Sequence, residues 1–265
     1  MARDVGIGTV AQRSSAPASR ASRTPLQHWL IFTGLSLFGF VLLWHFGLIR
    51  RMVTADRTYI STFIVLLYVG TTLHCLWRTI VVSREDDAAR QAARIITGGE
   101  RGITVVGNAV KVGGSDQLPK GLVAEHIRDL ALKAGFQGAR QLDQALLLRG
   151  LATRLRGSNQ LGGFASDTLM KLGLVGTIVG FIMMLSPIAG LDPGDRGAIK
   201  SSMALMSDGM AVAMYTTLAG LVGSILVKIQ YYMLDNATGR LFAFAVRFLE
   251  VHVVPVLEQQ SNKPE

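Results

Sequence analysis

Three threonines, Thr177, Thr216 and Thr217, stand inside two uncharged runs, LGLVGTIVGFIMMLSPIAGL and GMAVAMYTTLAGLVGSILV, between Leu172 and Val227. The chemistry open to them is narrow. A threonine hydroxyl donates and accepts hydrogen bonds but does not ionise usefully near neutral pH, so it can line a polar path without titrating on it. Each run is about 20 residues long, and at ~1.5 Å rise per residue that crosses the ~30 Å hydrocarbon layer of a bilayer. Both runs are rich in small residues, which let membrane helices approach closely.

The small residues are ordered. The first run carries Gly173, Gly176 and Gly180, with the Gly176-x-x-x-Gly180 spacing of a packing face. In the second, Gly209, Ala213, Thr216, Gly220 and Ser224 recur every three or four residues on one helical face, with Thr217 at its edge. The plain reading is packing alone, with each hydroxyl bonded back to its own helix. Depth argues for more. If the first run enters from the cytoplasm and the second returns, Thr177 lies ~9 Å in and Thr217 ~16 Å from its exit. That predicts two hydroxyls about one helical turn apart, a ladder along a narrow wet path.

A carboxylate is missing. The apolar runs contain no Asp, Glu or Lys, and His45 and His74 sit near run ends, where an interfacial place suits them. Intramembrane carboxylates usually mark proton pathways, so an ion path here needs a titrating group from elsewhere. The string GLVGTIVG resembles a phosphate loop, but no Gly-Lys-Ser/Thr follows it. No nucleophile–base pair, metal cluster or nucleotide loop is found, so neither an enzyme nor a bound cofactor is expected. A secondary transporter would call for internal repeats and intramembrane charge.

The elements that position these residues follow from composition. The chain has 265 residues, of which 49% are hydrophobic, and a mean hydropathy of +0.37. Two further apolar runs, Trp29–Ile49 and Tyr59 to about Trp77, bring the expected spans to four. The fold class is an all-α membrane protein: four transmembrane helices with cytoplasmic helical extensions. GGERGITVVGNAVKVGG forms either a small β-hairpin around Gly107-Asn108 or a flexible loop. The parts are a disordered basic tail (1–24), a transmembrane hairpin (25–82), a mainly helical cytoplasmic region (83–166), a core of spans three and four (167–234), and a C-terminal helix and tail (235–265). Residues 84–96 prolong span two, Gly135 and Gly138 divide the helical pattern from Gly121 to Arg156, and the last helix stops near Pro255.

The formal charge of +9 fits basic residues flanking spans rather than a nucleic-acid surface. It puts both termini in the cytoplasm, although Arg50, Arg51 and Arg57 fall in the hairpin loop that this topology places outside. The loop between spans three and four is expected to hold Asp192, Asp195, Arg196, Lys200 and Asp208. The single cysteine, Cys75, lies inside span two and has no partner for a disulfide.

GLVGTIVGFIMM followed by GMAVAMYTTLAGLVGSI resembles the core of the MotA/TolQ/ExbB proton channel family. Gly173, Gly176 and Thr177 match the family's Gly-x-x-Gly-Thr pattern. Gly209, Ala211, Ala213, Thr217, Gly220 and Leu221 match its fourth-span pattern. The resemblance implies a homo-oligomeric ring in a bacterial inner membrane, with five copies around two helices of a small single-span partner of the MotB/ExbD/TolR type. The partner's Asp would titrate, Thr177 and Thr217, with Thr216 beside them, would line the path, and Pro187 would take part in gating. The ion would be H+ or Na+, and its flow would drive motility, outer-membrane transport or other work. Two spans precede the cytoplasmic region, as in motor stators, yet the segment from Val82 to Asp167 is short for a stator and span four has no proline. That mixture implies a branch of its own. The alternative is a non-conducting oligomeric scaffold.

Overall fold

The computed structural model describes residues 24–45, 47, 59–98, 103–106, 109–113, 116–137, 143–190 and 196–261. The N-terminal tail, Arg50, Arg51 and Arg57, Gly107-Asn108, Gly138, and Asp192 and Asp195 lie outside them. The described elements are α1 (Thr24–His45), α2 (Ile60–Gly98), β1 (Ile103–Val106), β2 (Ala109–Val112), β3 (Asp116–Gln117), α3 (Leu122–Gln137) and α4 (Ala145–Arg156). A 3-10 turn at Gly157–Asn159 leads into α5 (Gln160–Leu185), and another at Ser186–Gly190 closes it. Then come α6 (Arg196–Phe248), a π-helical turn at Leu249–Val253, and α7 (Val254–Ser261).

Three stretches are long and apolar enough to cross a membrane: Ile60–Gly98, Gln160–Ile188 and Arg196–Gln260. In α1 the describable apolar stretch, Trp29–Val41, is shorter than a span. The described residues therefore carry three such helices where the sequence suggests four. α2 has 39 residues and α6 has 53. At helical rise these are ~58 Å and ~80 Å long, well beyond a ~30 Å hydrocarbon layer, so both project from it.

One stripe on α6 organises the molecule. Gly209, Ala213, Thr216, Gly220, Ser224, Val227, Tyr231, Leu234, Thr238, Leu241, Ala245 and Phe248 are buried, spaced by three and four residues. Its composition changes along the helix. Small residues meet α5 in the first half, because lipid tails give apolar side chains no reason to associate and close backbone packing must hold the pair. In the second half Leu234, Leu241 and Phe248 join Val82 and Ala89 of α2, Ile127 and Leu130 of α3, and Leu151 and Leu155 of α4 in a hydrophobic core of the soluble kind.

α3 and α4 pack against this core as an antiparallel pair, tied by an Arg154–Glu125 ion pair at 2.9 Å. The Glu85 carboxylate of α2 accepts the Leu122 N–H at 2.9 Å and so caps α3. A three-stranded antiparallel sheet, ordered β1-β2-β3, covers α3 with Ile103, Val110 and Val112 buried. Its register pairs Ile103 with Val112 and Lys111 with Gln117. The hairpin reading of this segment is thus the right one, with a third short strand added.

Three boundaries differ from expectation: Gly135 lies inside α3, which runs on to Gln137, and the other two concern the last long helix. Lys200 and Asp208 are helical, because α6 begins at Arg196. The helix continues past Pro255, which occupies the second position of α7 after the π-helical turn. A proline inside a continuous helix lacks an N–H and crowds the carbonyl one turn back, and the wider π-helical turn before it is the kind of local irregularity that accommodates both.

Candidate functional site

The α5–α6 contact is the most extensive in the molecule and is built on absent side chains. A Cβ placed on Gly220 would lie 2.7 Å from the Gly173 Cα and 2.7 Å from the Leu169 carbonyl oxygen. One on Gly180 would lie 2.7 Å from the Ala213 Cβ, and one on Gly209 2.6 Å from the Met184 backbone nitrogen. One on Gly176 would overlap the Thr216 side chain. Gly173, Gly176, Gly180, Gly209, Ala213 and Gly220 therefore form one seam, in which each small residue admits the backbone or side chain opposite.

Thr177 and Thr217 meet at the edge of that seam. Their hydroxyls hydrogen-bond to each other. Each also donates to a backbone carbonyl: Thr177 to Gly173 at 3.2 Å, and Thr217 to Ala213 at 2.9 Å and to Gly173 at 3.3 Å. A Thr O–H has one proton, so these acceptors are alternatives and the pair can exchange among them. The expected offset of one turn is absent: the two hydroxyls share one depth. The ends of the uncharged runs do not set the register, because the helices pair through Gly173–Gly220 and Gly180–Ala213. That pairing sets Thr217 opposite Thr177.

Thr216 turns the other way. It is fully buried, donates to the Val212 carbonyl at 2.9 Å, and fills the space left by Gly176. The sequence puts Thr216 and Thr217 together as lining residues, but neighbours on a helix point ~100° apart, and only one can face outward. Pro187 sits in the 3-10 turn that ends α5, half-buried.

Outside the seam, Thr177 and Thr217 open onto a groove of about 740 Å³. Leu174, Phe181, Met184, Met210, Met214 and Leu218 form its walls. These were not singled out from sequence, although they repeat every three to four residues beside the small-residue face. The groove is apolar except for the two hydroxyls and holds no ionisable side chain. Such a surface suits another apolar helix and offers a polar group on that helix one place to bond.

A second hydroxyl pair lies lower in the seam. Ser166 and Ser224 hydrogen-bond at 2.9 Å, and the Ser166 hydroxyl lies 3.1 Å from the Ser224 carbonyl oxygen. Ser166 went unnoticed in the sequence because it precedes the uncharged run. Among the described residues no group of three His, Cys, Asp or Glu is arranged to hold a metal.

No curated protein and no solved structure matches the chain. Residues 125–244, from α3 to near the end of α6, match the MotA/TolQ/ExbB proton channel family. The matched segment, a little under half of the chain, contains the whole α5–α6 seam, both threonines and their groove, so the part of the chain that carries the candidate site is similar to the MotA/TolQ/ExbB proton channel family.

Proposed function

We propose that this chain is a ring-forming subunit of an ion-motive-force-driven motor or channel of the bacterial inner membrane. Proton or sodium flow past a partner helix would power mechanical work or transport. The observation that carries this reading is the Thr177–Thr217 hydroxyl pair on the wall of an otherwise apolar groove. The groove can receive a helix, and the hydroxyls can bond a carboxyl on it, but nothing in the groove can titrate.

The titrating group then belongs to a small single-span partner of the MotB/ExbD/TolR type, as an intramembrane Asp. Each charge crossing 100 mV releases ~2.3 kcal/mol, enough to shift a helix between two packings of similar energy. In this proposal α1 crosses the membrane as span one, both termini are cytoplasmic, and five copies surround the partner helices. Thr216 serves packing rather than the path, and Pro187, in the 3-10 turn that ends α5, takes part in gating. The chain is not an enzyme and needs no cofactor.

The test is ion flux in vesicles holding the chain together with the single-span protein encoded beside it. Thr217→Val is expected to abolish flux while the oligomer mass stays unchanged, and Gly176→Leu to break assembly. Undiminished flux in Thr217→Val would sink the reading. A non-conducting scaffold would instead show no ion flux in the wild type, with Gly176→Leu still breaking assembly.

A further inference from the structure

We propose that a pocket where α4, α5 and α6 meet binds the headgroup of an anionic phospholipid. The pocket has a volume of about 530 Å³, and Arg156, Lys228, Asn159, Tyr232 and Asp235 stand around it over Gly163. Its floor is open: a Cβ on Gly163 would meet nothing within 4 Å.

Depth is the first argument. Tyr231 hydrogen-bonds His74 of α2 at 2.7 Å, and its ring covers Gly162 of α5. Residues near 74, 162 and 231 therefore lie at one level. Around that level Trp77 is 61% exposed, Phe164 72% and Tyr232 68%. Exposed aromatic side chains from three helices at one level are the mark of a membrane–water boundary. Lys228 is the first charged residue after the uncharged run of α6. The pocket thus opens at headgroup depth, and exposed Ile225 and Ile229 continue along α6 as a surface for acyl chains.

Charge is the second. Arg156 and Lys228 are exposed, and among the described residues neither belongs to an ion pair. Asp235, the one carboxylate in the wall, faces the Asn159 amide at 3.5 Å. Two cations against one engaged carboxylate favour a phosphodiester, and basic pockets between membrane helices are where such headgroups bind.

Positioning is the third. Arg78 of α2 donates to the Leu155 carbonyl at 2.7 Å and to the Asn159 side chain at 3.4 Å. It thereby holds the last turn of α4, whose final residue is Arg156, against the pocket. This inference rests on α5 and α6 crossing a bilayer and is independent of ion conduction.

The experiment is lipid titration of the full-length detergent-solubilised protein, read by native mass spectrometry, with phosphatidylglycerol against phosphatidylcholine. The wild type is expected to retain phosphatidylglycerol preferentially, and Arg156→Gln with Lys228→Gln to lose that preference by about tenfold. Arg156→Lys with Lys228→Arg should keep it, which guards against a folding defect in the neutral pair. Arg94→Gln, far along α2, should leave it unchanged. Equal retention of both lipids by the wild type, or intact preference in the neutral pair, overturns the proposal. So does displacement of the lipid by inorganic phosphate at equal concentration, which would make this a free-phosphate site. Loss of self-association with unchanged lipid preference also overturns it, since a neighbouring copy would then fill the pocket.

Discussion

Thr216 of α6 occupies the space that a side chain at Gly176 of α5 would need, and its hydroxyl bonds back to its own helix. One residue further on, Thr217 faces the groove and bonds Thr177. Two adjacent positions of α6 thus hold a fully buried packing hydroxyl and a half-buried one at the groove wall. The difference is what stands opposite: a glycine in one case and a second threonine in the other.

This contact predicts strong coupling. Gly176→Ala forces the two helices apart and is expected to cost about 1–3 kcal/mol, as overpacking in a close contact does. Thr216→Gly removes the overlapping atoms and should recover most of that loss in the double variant. Thermal unfolding in detergent measures it, and additive losses would refute the assignment of the clash.

Gly157 joins α4 to the turn before α5 with a φ of +44°, and a Cβ there would overlap the Arg78 guanidinium. Gly157→Ala therefore meets both a strained backbone and a displaced cap. A loss of roughly 2 kcal/mol is expected, above the ~1 kcal/mol of a positive φ alone. In an Arg78→Ala background the same substitution should cost less, which a double-mutant cycle on melting temperature would detect.

His126 of α3 is buried, and desolvation pushes its pKa down from the usual ~6.5, partly opposed by the Asp129 charge. The unfolded chain then takes up a proton more readily than the folded one. Stability is full above about pH 6.5 and falls as the pH drops below it. His126→Asn should flatten that acid-side loss relative to the wild type in melting curves taken between neutral and mildly acidic pH. Identical pH profiles would rule His126 out as the cause.

Gln230 is fully buried on α6, and neither atom of its amide has a hydrogen-bond partner. Burying an unpaired amide costs about 1–3 kcal/mol. Gln230→Met, close in volume, is expected to raise stability by about that much. A marked fall in melting temperature would show that the amide is satisfied in the membrane-embedded protein.

Much of the architecture was legible beforehand because its signals are local. Uncharged runs of sufficient length mark spans two to four, and glycine at three- and four-residue spacing marks the face by which α5 and α6 pack. The hairpin at Ile103–Val112 showed in its β-branched residues. The continuation through Pro255 did not, since whether a proline ends a helix depends on the π-helical turn before it.

The groove was less legible. Its walls are ordinary Leu, Met and Phe, which composition cannot tell from lipid-facing residues. Residue types by themselves determined that the membrane core carries hydroxyls and small residues without a carboxylate. Tertiary structure alone decided which hydroxyl faces outward. Thr216 and Thr217 are identical in type and adjacent in sequence, and rotation about α6, set by the Gly173–Gly220 and Gly180–Ala213 approaches, buries one and presents the other.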